Sequence, residues 1–276
     1  MTYVLRHSDH ETRRLETQAA FYAEHTEWLL KTAGITAGMH VLDVGCGAGD
    51  VTIQLARIVG PTGSVVGVDA DANVLEAARQ RVDLANVTFR QATLPDVPLD
   101  HPVDAVVGRM ILMHLPDPVT ALRALSTVVR PGGVVTFQDM NTTRFRSVPA
   151  LPLLTKCVTT LNDSLLAAGR ALDTGERLHS LFLEAGLPGP ELAVVAPTPH
   201  GEEKEAAVVM LGQTLLTALP FAEECGVVAP GEFDQDTLTD QLLDELRSTP
   251  CAVYLAEMVG AWTRVPGTEP AFARST

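Results

Sequence analysis

Short apolar runs alternate with amphipathic stretches through the first half of the chain, and that rhythm predicts most of its elements. Over residues 11–31 charged and apolar positions mix, with Leu15, Ala19, Tyr22, Trp28 and Leu29 at roughly helical spacing. One or two amphipathic helices are expected there. An apolar strand over 39–44 runs into a glycine loop, followed by a helix over 50–58 that Gly60 and Pro61 end. "GSVVGVD" reads as a second buried strand, and "DANVLEAARQRV" as a helix that Asp71 can cap. "NVTFRQ" and "VDAVVGR" supply a third and a fourth strand. Pro116 and Pro118 flank the start of the helix "VTALRALSTVV", which stops before Pro131, and "GVVTFQD" makes a fifth strand. Short apolar strands alternating with helices predict an α/β fold with a doubly wound parallel sheet.

The pattern changes after residue 140. Residues 149–168, 175–185, 202–219 and 236–246 read as helices, and only "ELAVVA" and a stretch near 253–264 read as strands. Those two late strands can complete the sheet edge. The expected organisation is an N-terminal helical lid over 1–34 and a Rossmann-like core over 35–140. A helical cap over 141–250 surrounds late core elements at 171–197, and a C-terminal strand within 251–276 closes the sheet.

Composition narrows the function classes. A 276-residue chain that is 46% hydrophobic and 20% charged is an ordinary globular one. Acidic residues outnumber basic ones 34 to 20, for a net charge of −14, which repels phosphate backbones and argues against a nucleic-acid partner. Arg144 with Arg146 is the nearest thing to a basic cluster and is too small to reverse that. The N-terminus is polar and lacks the apolar segment of a signal peptide. The apolar stretch near 151–166 is interrupted by Pro152, Lys156, Asn162 and Asp163, so no bilayer-spanning run and no membrane partner are expected. Cys46, Cys157, Cys225 and Cys251 lie far apart without a CxxC pair, which fits neither zinc nor a disulfide framework. Reduced thiols in a cytoplasm are the plain reading. Basic residues are nearly all arginine and alanine is abundant, as in a GC-rich bacterial genome.

The chemistry concentrates around Gly45-Cys46-Gly47-Ala48-Gly49, set between a strand and a helix. Glycines let the backbone turn sharply and approach a ligand, while the helix N-terminus adds N–H donors. Many nucleotide folds use such a loop, so its neighbours decide the ligand. Asp43 lies just before the loop, where an acid suits a cationic amino group. Asp69 ends the next strand, where a carboxylate can take both hydroxyls of a ribose. A pyrophosphate would be repelled by Asp43, and the dinucleotide fingerprint wants a glycine where Asp50 stands. The favoured ligand therefore carries a ribose and a positive charge but no phosphate. S-adenosylmethionine (SAM) is such a molecule; a nicotinamide oxidoreductase is the alternative.

"VLDVGCGAGDVT", "VVGVDAD", "VDAVVGRMILMHLPDP" and "VVRPGGVVTFQD", in that order, resemble the sequential motifs of class I SAM-dependent methyltransferases. The resemblance is to the ubiquinone/menaquinone-type branch and to actinobacterial relatives acting on small metabolites, and it covers roughly 39–139. It implies a seven-stranded methyltransferase sheet, SAM as cofactor with S-adenosylhomocysteine as product, and no metal. It also implies that Asp43 and the backbone of Gly45, Cys46, Gly47 and Gly49 hold the methionine moiety. Asp69 would hold the ribose, with Ala70 and Asp71 beside the adenine. The family's usual acid after the third strand is replaced here by Thr93, with Asp96 nearby.

Three further residues have two readings each. Arg109 ends the fourth strand and either clamps a substrate or cofactor carboxylate or makes a structural ion pair. His114 is either a general base or a packed, capping histidine. Asp139 ends the fifth strand and is either a base or substrate anchor, or a loop-capping acid. Tyr3, His7 and Tyr22 could roof the sulfonium or simply pack. The expected reaction is methyl transfer to O, N or C of a small, moderately apolar metabolite, chosen by the leucine- and valine-rich cap. A specialised natural product is favoured as acceptor and a quinone precursor comes second. A SAM-binding cyclase or binding module without methyl transfer stays open, and a homodimer is compatible.

Overall fold

The structure, a computed structural model, describes residues 9–267, with side chains from residue 17 onward. Its main sheet has seven strands in the order β3-β2-β1-β4-β5-β9-β7. These are β1 (His40–Val44), β2 (Ser64–Asp69), β3 (Val87–Gln91), β4 (Val103–Arg109), β5 (Val129–Asn141), β7 (Glu191–Val195) and β9 (Glu257–Arg264). The pairs β1/β2, β1/β4, β2/β3 and β4/β5 are parallel, and the inner strands β1 and β4 are apolar runs without alternation, as a sheet covered on both faces requires. The chain order reverses direction between β1 and β4, which puts a topological switch point at their carboxyl ends. The doubly wound, Rossmann-like sheet expected from the pattern is present, with the seven strands that the resemblance implies.

The unit carrying this sheet comprises Thr26–Asp139, Arg177–Ala193 and Gly260–Thr276. Its helices form where the signals predict. In α2 (Asp50–Val59), Val51, Leu55 and Val59 recur one turn apart and are buried, and Gly60 ends the helix at φ +65°. Helix α3 (Ala72–Arg81) is capped by Asp71, whose carboxylate accepts from the backbone N–H of Asn73 and Val74. Helix α4 (Pro118–Thr127) starts with Asp117 as cap and Pro118 at its first turn. One core packs Leu29, Leu30, Val41, Leu55, Ala105, Val134 and Trp262 together. Packing sets where glycine is required: a Cβ on Gly260 would lie 2.5 Å from Leu29.

Strand β5 begins earlier than the helix-stop reading of Pro131-Gly132-Gly133 predicts. Val129 pairs with Val103, the register then shifts, and pairing resumes between Val134 and Ala105. The intervening bulge accommodates the proline without an N–H and Gly132 at φ +76°. The late strand region is also two strands rather than one. Strand β8 (Ala252–Tyr254) pairs antiparallel with a three-residue strand, β6 (Arg146–Val148), in a separate ribbon, while β9 lies between β5 and β7.

A second unit comprises Met1–His25, Met140–Glu176 and Val194–Val259. It is built on α5 (Pro152–Ala167), α7 (Gly201–Glu224) and α8 (Leu238–Ser248), with α7 packed against both others. The Glu245 carboxylate of α8 accepts from the N–H groups of Leu153 and Leu154 at 2.8 and 3.0 Å, satisfying two orphan donors at the start of α5. Arg146 lies over the Tyr254 ring at 4.5 Å and ties the β6–β8 ribbon together. The expectation that no apolar run is long enough to cross a bilayer needs correction. Helix α7 is long and apolar enough by length and composition, with half of its most apolar window buried. Ala207, Leu211, Leu215, Ala218 and Leu219 form that buried face, which is how the core helix of a folded unit looks. The remaining helices are α1 (Asp9–Thr32), a single unbroken helix, and α6 (Thr174–Glu184).

Candidate functional site

The parallel registers bring the ends of β1, β2, β4 and β5 to one edge of the sheet: Val44 pairs with Val68 and Gly108, and Arg109 with Gln138. Asp43 points into the unit at the end of β1 and is fully buried. The Thr52 hydroxyl of α2 donates to its Oδ2 at 2.6 Å. Burial pushes the Asp43 carboxyl up to about 7, against the pull of Thr52 and of the Arg109 cation, and the nearby Asp69 and Asp50 charges push the same way as burial. This acid therefore gains from any cation brought beside it.

Beyond Asp43 the glycine loop turns through three left-handed residues, Gly45 (φ +66°), Gly47 (φ +52°) and Gly49 (φ +90°). A Cβ on Gly45 would lie 2.7 Å from Ile111, and one on Gly49 3.1 Å from Val82, whereas one on Gly47 would meet nothing within 4 Å. The loop is thus packed at both ends and open in its middle, the cradle that a close-lying ligand backbone needs. Asp69 fixes the middle: its Oδ2 accepts from the Gly47 N–H at 3.0 Å and its Oδ1 from the Asp71 N–H at 3.0 Å. Each oxygen keeps a second lone pair for a further donor.

Arg81 of α3 braces the loop from outside, donating to the Ala48 carbonyl at 3.0 Å and to Asp50 Oδ1 at 2.9 Å. Asp50, standing where a dinucleotide loop wants glycine, is thereby an ion-paired helix-start residue. Cys46 is buried, its sulfur 3.1 Å from where a Gly67 Cβ would sit, and burial pushes its thiol far above the ordinary range. It is a small packing residue. Ala70 is exposed and its carbonyl accepts from the Gln91 side chain at 2.9 Å. Thr93 and Asp96 are both exposed and form an isolated bridge, the Asp96 N–H donating to the Thr93 carbonyl at 3.0 Å.

Arg109 at the end of β4 is half-buried, and its Nη1 donates to the Thr26 hydroxyl at 3.4 Å. Thr26 in turn donates to Gln138 Oε1 at 3.0 Å, a buried link between α1, β4 and β5. After Arg109 the chain takes a left-handed step at Met110 (φ +53°), a conformation costing roughly 1–2 kcal/mol for a residue with a side chain. A short 3-10 helix, Leu112–His114, follows. Asp139 is fully buried, and its Oδ2 accepts from the N–H groups of Leu112 and Met113 at 3.0 and 3.4 Å, the loop-capping arrangement. His114 is half-buried at the end of that turn. Tyr22 is buried with its hydroxyl on the Ala256 carbonyl at 2.7 Å, a packing role, while Tyr3 and His7 lie outside the described residues. Among the described residues no group of His, Cys, Asp or Glu is arranged to hold a metal.

Thr52, Arg81, Thr26, Gln138 and Ile111 are the site neighbours that sequence reasoning missed. Thr52, Ile111 and Gln138 lie inside the quoted motifs, and Thr26 and Arg81 lie outside them, but no spacing singles any of them out; each is identified only by what the fold lays beside it.

A seven-stranded Rossmann-like sheet, a switch point at β1 and β4, a glycine loop flanked by two acids and an open cradle at Gly47 define a class I methyltransferase fold. The residues present fit SAM: a buried acid for its positive end, an open loop for its backbone and a half-buried acid for its ribose. The chain belongs to the class I SAM-dependent methyltransferase family, the family model described as a methyltransferase domain matching residues 35–186, more than half of its length. It is 34% identical over 137 residues to the demethylmenaquinone methyltransferase of Staphylococcus aureus, which is 48% of this chain and 54% of that protein. The chain therefore spans about half the length of the curated relatives it matches. Among solved structures, a putative methyltransferase of Bacillus halodurans superposes with a TM-score of 0.55 at 18% identity, over 87% of this chain and 98% of that one. The cyclase SpnF does so with a TM-score of 0.52 at 18% identity, over 88% of this chain and 81% of that one. Both are likenesses of fold.

Proposed function

We propose that the protein transfers the methyl group of SAM to an oxygen, nitrogen or carbon nucleophile of a small, moderately apolar metabolite, leaving S-adenosylhomocysteine. The observation that carries this reading is the fully buried Asp43 carboxylate, held by Thr52 beside the open middle of the glycine loop. A buried acid there repels a pyrophosphate and favours a cation, which speaks against the nicotinamide alternative.

Bound SAM supplies a methyl group already activated on a sulfonium. The chain's own residues bind and orient. Asp43 takes the ammonium of the methionine end, and the loop N–H groups approach its backbone. Arg109, steadied by Thr26, takes the carboxylate, and Asp69, which also holds the Gly47 N–H, takes the ribose hydroxyls. Ala70 and Asp71 flank the adenine, with Thr93 at its rim. His114 removes a proton where the acceptor has one to lose. Holding the acceptor in line is worth about 7–11 kcal/mol, against roughly 10²–10⁴-fold for a general base, so positioning dominates.

The acceptor class rests on the apolar, leucine-rich make-up of the 140–250 region, which suits a drug-sized natural product. The 34% identity to a demethylmenaquinone methyltransferase favours a quinone precursor as the second reading. Four free cysteines fit a reducing cytoplasm. The cyclase SpnF shares this fold, so cyclisation without methyl transfer is the third reading. Incubation with SAM and a metabolite panel, read by S-adenosylhomocysteine release and a methyl mass increase, tests the proposal. Product with stoichiometric S-adenosylhomocysteine is expected. A rearranged substrate without it makes the protein a cyclase, and His114→Ala with unchanged turnover removes the proposed base.

A further inference from the structure

We infer that Asp139 is a positioning residue: by capping the Leu112–His114 turn it holds Ile111 against Gly45 and so builds the wall on which the methionine end of SAM rests. This rests on the SAM reading above. Asp139 has no exposed surface, and one of its oxygens accepts from both free N–H groups at the start of the turn. The segment it holds has little freedom elsewhere. Met110 is left-handed and its N–H donates to the Gln138 carbonyl at 2.7 Å. Ile111 then spans two glycines. Its Cδ1 and Cγ1 lie 2.7 and 2.8 Å from where a Gly45 Cβ would be, and its Cγ2 lies 2.9 Å from the corresponding point at Gly108.

Those distances leave no room for a methyl group at either glycine, so Ile111 is seated directly on the first turn of the cofactor loop. A residue strained at Met110 returns to ordinary conformations once its neighbours let go. The buried acid is what keeps the turn, and with it Ile111, in one place. Asp139 therefore acts through Ile111 and touches neither cofactor nor acceptor.

The full chain is used for the test, with SAM and S-adenosylhomocysteine as ligands in calorimetry and amide exchange in their absence. Asp139→Ala is expected to speed exchange at Leu112 and Met113 and to weaken SAM binding about tenfold, and Asp139→Asn, which keeps an acceptor oxygen, to recover most of both. Ile111→Ala alone is expected to weaken binding by a similar factor, and adding Asp139→Ala to it to cost less than about threefold more, because the two act through one contact. A merely structural Asp139 gives independent, multiplying losses instead, and that result overturns the inference. Wild-type affinity in Ile111→Ala overturns it too, even if Asp139→Ala fails to fold. Absence of any SAM or S-adenosylhomocysteine binding by the wild type sinks the functional reading as a whole, whereas normal binding by Asp139→Ala sinks the positioning role alone.

Discussion

The Thr52 hydroxyl donates a 2.6 Å hydrogen bond to the Asp43 carboxylate inside a fully buried corner of the sheet. One short bond offsets part of the desolvation of a buried acid but not all of it, and the Asp43 carboxyl still rises from 3.8 to about 7. Its protonation state is therefore poised where a ligand can change it.

A cation docking beside Asp43 requires the ionised form. At pH 6, where the amino group of SAM is already charged, Asp43 is mostly protonated, so binding should release close to one proton. Calorimetry in two buffers of different ionisation enthalpy measures the number directly. Asp43→Asn should release none and bind SAM more weakly at every pH. Equal proton counts for the two proteins would remove Asp43 from the ammonium site.

The same shift makes a stability prediction. Because the folded state holds the Asp43 proton up to about 7 and the unfolded chain only to 3.8, the folded form binds more protons between those values. Stability from this group therefore falls as pH rises through that window and is flat above it, by on the order of 4 kcal/mol in total. Asp43→Asn keeps an acceptor for Thr52 and removes the buried charge. Urea denaturation should show it gaining on the wild type between pH 5 and pH 8; an identical difference at both pH values contradicts the cause assigned here.

Much of this site is legible in the residues themselves. Strands β1, β2 and β4 emerge from apolar runs because a parallel sheet buries both faces of its inner strands, and Asp43, the glycines and Asp69 are visible because their spacing is local. What the sequence hides is non-local. Thr52 meets Asp43 only because α2 folds back against β1, and Asp139 meets Leu112 only because β5 runs beside β4 and on past its end at Arg109. Strand β6 has three residues, too few for any periodicity, and β5 starts across a proline and two glycines that read as a stop. Helix α7 continues through Pro220 to Glu224, beyond where a proline signals an end.

Two glycines of one loop should respond to different degrees to the same small change. Gly47→Ala adds a methyl into open space at φ +52°, so it should cost only about 1–2 kcal/mol of stability while weakening SAM binding severely. Gly45→Ala drives its methyl against Ile111 at φ +66° and should cost more stability, with about 1–3 kcal/mol of overpacking added. Gly47→Arg should abolish binding in a folded protein. Denaturation midpoints and calorimetric affinities separate the cases. Gly47→Ala binding SAM like the wild type would mean that the ligand does not approach the loop there.

The ribose assignment is tested by Asp69, which also holds the loop through the Gly47 N–H and the following turn through the Asp71 N–H. Asp69→Ala removes the charged acceptor for both hydroxyls, and each hydrogen bond to a charged group is worth about 1.5–3 kcal/mol, so SAM should bind at least tenfold more weakly. Loss of loop order alone could produce that, so the deciding comparison is between adenosine and deoxyadenosine. The wild type should prefer adenosine clearly, and Asp69→Ala should bind the two alike. A preference that survives the substitution would move the ribose contact away from β2, whatever happens to overall affinity.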